Sequence, residues 1–146
     1  MVDQEDSKLR ELIRILVRHL GILEKSDANC CGFPLTQCHA LVEIGRKGEM
    51  NLNELAELLG VEKSTMSRTI NNLVESGLAA RELDNEDRRY VVIQLTAAGQ
   101  QLFENTETSM QKYFSDVLQR IQSNKREQVL ESLSLLVDAL NDGGCC

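Results

Sequence analysis

The chain has 146 residues, of which 42% are apolar and 27% charged, with a formal net charge of −7. The length suits one domain, the composition excludes a disordered chain, and the negative charge excludes binding to nucleic acid or an anionic membrane by bulk electrostatics. DNA binding, if it exists, must come from a local patch. No apolar run approaches the roughly 20 residues that cross a bilayer, and the acidic start Met1-Val2-Asp3-Gln4-Glu5-Asp6 is unlike a signal peptide, so the expected compartment is the cytoplasm. One Pro, no Trp, two Tyr and three Phe favour helices over a strand-rich sandwich.

In chain order, Leu9, Leu12, Ile13, Leu16, Leu20 and Leu23 recur at helical spacing over residues 7–23, and Ile15, Val17 and Ile22 widen the stripe enough for two partners. Residues 24–33 read as a connector because Asp27, Asn29, Gly32 and then Pro34 are turn residues. A second helix is expected over residues 34–46, with Leu35, Cys38, His39, Leu41 and Val42 on its apolar side and a stop at Gly45 or Gly48. Asn51 with Glu54 three residues later is a helix start, and Gly60 ends that short helix. Another helix follows over residues 62–76, so the pair forms a helix-turn-helix candidate. The period then changes: residues 78–83 and 90–95 read as strands around a charged tip at residues 84–89. Thr96 caps a long helix to about residue 122, residues 123–140 form a last helix, and the Gly-rich tail cannot hold one. The expected fold is mainly α with a small β wing: four helices, strand, wing, strand, and two long helices.

On a helical wheel Met66, Ile70, Leu73 and Val74 form the buried stripe of the fourth helix, while Ser64, Thr65, Ser67, Arg68, Asn71 and Asn72 occupy the other side. Short hydrogen-bonding groups around one arginine suit a DNA groove. Arginine bonds guanine O6 and N7, asparagine bonds adenine N6 and N7, and serine or threonine holds phosphates. The bland alternative is a solvated polar face, which would carry more Lys and Glu.

Leu52-Asn53-Glu54-Leu55-Ala56-Glu57-Leu58-Leu59-Gly60-Val61, followed by Glu62-Lys63-Ser64-Thr65-Met66-Ser67-Arg68, resembles the helix-turn-helix of the MarR family of winged-helix transcription regulators. Asp84-Asn85-Glu86-Asp87-Arg88-Arg89 resembles that family's wing, and Leu95-Thr96-Ala97-Ala98-Gly99 the junction after it. The resemblance runs in order over nearly the whole chain. It departs at Glu62, where Ser often caps the recognition helix, and residues 61–90 hold five basic against six acidic residues, so positive potential must come from arrangement.

The resemblance implies a single domain over residues 1–146, with a winged helix-turn-helix lobe at 34–96 and dimerisation helices at 7–23 and 97–140. It implies a homodimer, a repressor by expectation, that reads a palindromic operator in double-stranded DNA with recognition helices in successive major grooves. A wing arginine, Arg88 or Arg89, would enter the minor groove, with Asp87 orienting an arginine rather than touching DNA.

Release by an inducer is the family's usual regulation, and the cysteines are the conspicuous chemistry here. Cys30, Cys31 and Cys38 could offer three thiolates to a soft effector such as zinc, copper(I) or trivalent arsenic, with Cys145 and Cys146 at the chain's end. The alternatives are a small organic inducer, with Cys38 a buried apolar residue, or a winged helix that contacts only proteins. Two sensing branches of the family are excluded: residues 97–122 lack the histidines of the zinc-sensing one, and residues 1–29 lack the cysteine of the organic-hydroperoxide one. His19 and His39 read as structural. An enzyme is not expected, since the chain has no Gly-rich phosphate loop, strained nucleophile turn or C-x-x-C pair.

Overall fold

A computed structural model describes residues 2–31, 35–87 and 89–143, leaving out the side chains of residues 2, 3, 21–31 and 35. The elements are α1 (Val2–Cys31), α2 (Leu35–Lys47), β1 (Glu49–Asn51), α3 (Leu52–Leu59), α4 (Lys63–Glu75), β2 (Ala79–Leu83), β3 (Val91–Leu95), α5 (Ala97–Gln119), one 3₁₀ turn (Ser123–Lys125) and α6 (Arg126–Asp142). Helices dominate, and the strands form one antiparallel sheet in the order β1-β3-β2. This is the mainly α fold with a small β wing. The chain divides into two compact units, residues 1–107 and 108–146.

In the first unit the core is built from Ala40, Leu41 and Ile44 of α2, Met50 of β1, Leu55 and Ala56 of α3, Met66, Ile70 and Leu73 of α4, Leu78, Ala79 of β2 and Ile93 of β3. Every second residue of a strand faces the same way, so Ile93, paired with Met50 on one side and Arg81 on the other, sets which sheet face meets the helices. Thr96 fixes the exit from the sheet. Its hydroxyl donates to the Gly77 carbonyl at 2.6 Å and accepts the Gly99 N–H at 3.1 Å, capping α5. Gly99 is required there, because a Cβ at this position would lie 1.9 Å from the Leu78 carbonyl oxygen.

Several expectations are corrected. The stretch expected as a connector, residues 24–33, is helical as far as Cys31, since Asp and Asn inside a helix each cost only about 0.7 kcal/mol and a long helix carries that. Of the two stops expected for the second helix Gly48 is the one used, and the helix runs through Gly45, whose missing side chain makes room for the Phe103 ring. Its buried line is Gln37, Ala40, Leu41 and Ile44, leaving Cys38 and Val42 half-buried and His39 exposed. Among the described residues the Gln37 side-chain oxygen is buried without a hydrogen-bond partner. In α4, Thr69 joins the buried stripe and bonds the Thr65 carbonyl at 3.0 Å, whereas Val74 is only partly buried. Strand β1 was not expected, because three residues are too few to show an alternating pattern.

In the second unit α5 ends at Gln119 rather than near residue 122. Arg126 caps it, with Nε donating to the carbonyls of Leu118 and Ile121 at 2.9 and 3.1 Å and the guanidinium also reaching the Gln119 carbonyl at 3.3 Å. No residue of α6 is buried, and Leu130, Leu133, Leu135, Val137 and Leu140 are exposed. No helix among the described residues is long and apolar enough to cross a membrane.

Candidate nucleic-acid interface

The turn between α3 and α4 sets the interface. Asn51 caps α3, its side-chain oxygen accepting the Glu54 N–H at 2.8 Å while its amide donates back to the Glu54 carboxylate at 3.0 Å. Lys47 holds the same carboxylate at 2.9 Å. At the other end Gly60 adopts φ 65°, and the Val61 N–H closes onto the Ala56 carbonyl at 3.0 Å, so the chain reverses and enters α4 after two residues. Glu62 gives α4 no side-chain cap. Met66, Thr69, Ile70 and Leu73 anchor the helix in the core, which turns its polar side outward.

On that side Ser64, Arg68, Asn71 and Asn72 are exposed, and Thr65 and Ser67 are half-buried. No hydrogen bond or ion pair among the described residues holds the Arg68 side chain, so its donors face solvent. Asn71 is different: Arg81 of β2 donates to its side-chain oxygen. Sequence reading missed Arg81, since only the packing of β2 beside α4 brings residues ten apart together.

The wing is tied at its neck and tip by its aspartates. The Asp84 N–H donates to the Tyr90 carbonyl at 2.9 Å, and the Asp84 carboxylate accepts the Glu86 N–H at 3.0 Å. Asp87 accepts the Arg89 N–H at 3.1 Å and both Nε and a terminal nitrogen of the Arg89 guanidinium, the latter at 2.8 Å. These bonds, the side-chain pair first and the backbone N–H second, hold the Asp87 carboxyl below its ordinary value of 3.8, and the carboxylate in turn raises the Arg89 guanidinium. Arg89 remains 85% exposed, so it is aimed rather than hidden. Arg88 lies outside the described residues.

Charge is sorted by sheet face. Arg81 pairs with Ile93 and shares its face, toward α4, while Glu82 pairs with Val92 and Glu49 with Gln94 on the opposite face. A groove lined by Glu49, Glu82, Asp84 and Glu86 thus lies on the side away from Arg81. Three of the six acidic residues in 61–90, Glu82, Asp84 and Glu86, thus line the groove away from Arg81.

The candidate effector thiols are divided. Cys38 is half-buried in α2, and Cys30 and Cys31 close α1, with side chains outside the described set. Among the described residues no group of three His, Cys, Asp or Glu side chains could hold a metal ion.

Residues 32–89 match the family model described as "MarR family". The HTH-type transcriptional regulator YfiV of Bacillus subtilis is 23% identical over 142 residues, which span 97% of this chain and 89% of that one. A MarR family protein from Bacillus stearothermophilus superposes with a TM-score of 0.85 at 20% identity, covering 97% of this chain and 99% of that one. Streptococcus pneumoniae FabT in complex with DNA superposes at 0.82 with 18% identity, covering 93% and 97%. The relatives are transcription regulators, a class without enzymatic activity. The helix-turn-helix and the wing tip thus fall inside the segment that matches the MarR family, and over nearly its whole length the chain is similar to transcriptional regulators of the helix-turn-helix type.

Proposed function

We propose that this protein is a sequence-specific DNA-binding regulator, a repressor that occupies a palindromic operator as a homodimer. The observation that carries the reading is the outward polar side of α4, with the exposed Arg68 at its middle, unpaired among the described residues, together with the Asp87-held Arg89 on the wing. Ser64 to Asn72 spans eight helical rises, about 12 Å, comparable to the width of a major groove. In a homodimer two such lobes would place their recognition helices about 34 Å apart, one helical turn of DNA. The likeness to FabT, solved in complex with DNA, supports the same use of the fold. Residues 34–96 then act as the DNA lobe and the helices at 7–23 and 97–140 as the dimerisation region. Leu9, Leu12, Leu16 and Val17 of α1 and the five exposed apolar residues of α6 supply apolar area that a second copy would cover.

For the effector, α1 ends at Cys31 and α2 begins at Leu35, so Cys30, Cys31 and Cys38 flank one junction between helices. A soft metal or metalloid bound there would act on α2, which packs against α4. Titration of DNA-bound protein with arsenite, zinc and copper(I), compared with a Cys30, Cys31, Cys38 triple serine variant, tests this arm. Release by none of them moves the choice to a small organic inducer.

The main reading is tested by fluorescence anisotropy on duplexes selected from a random pool. The parent chain is expected to bind, and Arg68→Ala to lose about 1–3 kcal/mol on the preferred sequence while discriminating less. No binding of any duplex at low salt contradicts the proposal.

A further inference from the structure

We infer that Arg81 is a specificity-determining residue that dictates which bases Asn71 can read, an inference that rests on the DNA-binding role proposed above. A free asparagine amide presents a carbonyl oxygen and an amino group side by side, the pattern that matches adenine N7 and N6. Here the oxygen is engaged by the Arg81 guanidinium. A guanidinium only donates, so its partner must be the oxygen, and the orientation of the Asn71 amide follows from chemistry. The amino group then points away from Arg81, and the free edge of Asn71 offers its two N–H donors while the oxygen already carries a cationic partner.

Adenine is disfavoured by this arrangement. Its N6 amino group is itself a donor and would have to share the oxygen with a cation. The groups that fit these two donors are acceptors in the major groove, namely guanine O6 and N7 or thymine O4. Arg81 has the right support for the task. It stands on β2 opposite the buried Ile93, so its stem rises from the packed face of the sheet, while Asn71 is exposed on α4, three residues from Arg68. The acidic neighbours Glu82 and Glu49 lie on the other face and do not compete for the guanidinium. Asn72, exposed one residue on, has no such partner among the described residues and keeps the adenine-matching edge. The two adjacent asparagines therefore read differently despite identical side chains.

The test is selection of bound duplexes from a random pool by the full chain, by Arg81→Met and by Arg81→Lys, each checked for an unchanged thermal transition. The parent should prefer guanine or thymine over adenine at one position of each half-site. Arg81→Met, which keeps the stem and loses the donors, should shift that position toward adenine by about tenfold. Arg81→Lys, which can still donate to the Asn71 oxygen, should retain the parent preference. In an Asn71→Ala background the Arg81→Met change should leave the position unaltered. Identical base preferences for parent and Arg81→Met overturn the inference while DNA binding stands, whereas failure of the parent to select any duplex removes the DNA-binding reading itself. Should Arg81→Met melt early, an altered preference in the still-folded Arg81→Lys overturns the inference equally.

Discussion

The α2–β3 region and the terminal helix α6 are both rich in aliphatic residues, yet they use them in opposite ways. Between Ala40 and Ile93 the chain buries its apolar side chains within itself, and Met66 and Ile70 have no exposed surface at all. In α6 no residue is buried, and Leu135 and Leu140 are 64% and 62% exposed. A helix alternates polar and apolar faces only when something waits to cover the apolar one. The contrast teaches that residues 40–93 close on their own contacts, while the C-terminal helix leaves an apolar surface that the proposed second copy would cover.

Truncations of equal chemistry should therefore have unequal consequences. Ile70→Ala is expected to cost about 2–5 kcal/mol in urea unfolding at any protein concentration, because it empties a site closed on all sides. Gly99→Ala forces a methyl group into the Leu78 carbonyl and should cost about 1–3 kcal/mol, read the same way. Leu133→Ala should instead weaken association, by about 1 kcal/mol per copy since less than half of the side chain remains to be covered, seen as a shift in the concentration at which the dimer dissociates. A concentration-independent loss for Leu133→Ala would erase the contrast between the two regions.

Smaller effects sharpen it within the lobe. Asn51→Ala removes the α3 cap and should cost about 1 kcal/mol, whereas Gln37→Leu relieves a buried, unpartnered oxygen and should gain about 1 kcal/mol by calorimetry. The smallest effect concerns the wing. Asp87 is depressed in the folded state, so the support its pair with Arg89 gives is complete above pH 3.8 and lost as the pH falls through the lowered value. Amide exchange at the wing tip should be flat from pH 7 to 5 after correction for intrinsic rates, and Asp87→Asn should loosen Arg89 at every pH.

Much of this was legible in the residues. Asn51 with Glu54, Gly60, the Met66-Ile70-Leu73 stripe, and Thr96 with Gly99 are local signals, and each forms the contact that its spacing announces. What escaped depends on distance in the chain. Strand β1 exists because Met50 pairs with Ile93, and Arg126 reaches back eight residues to finish α5. The Arg81–Asn71 pair needs both the register of β2 and its packing beside α4. The helical reach of α1 to Cys31 was hidden by Asp27 and Asn29, residues common in turns but tolerated in a long helix. The polar residues of α4 were recognisable as a surface; that Asn71 is already engaged was not.

The most direct test of the account is sedimentation equilibrium of the full chain with a labelled duplex taken from the selection experiment. Two chains per duplex, falling to no stable complex with Leu133→Asp while the lobe stays folded, is the predicted result. One chain bound per duplex with parent affinity, or a folded protein that sediments apart from every duplex, would contradict it.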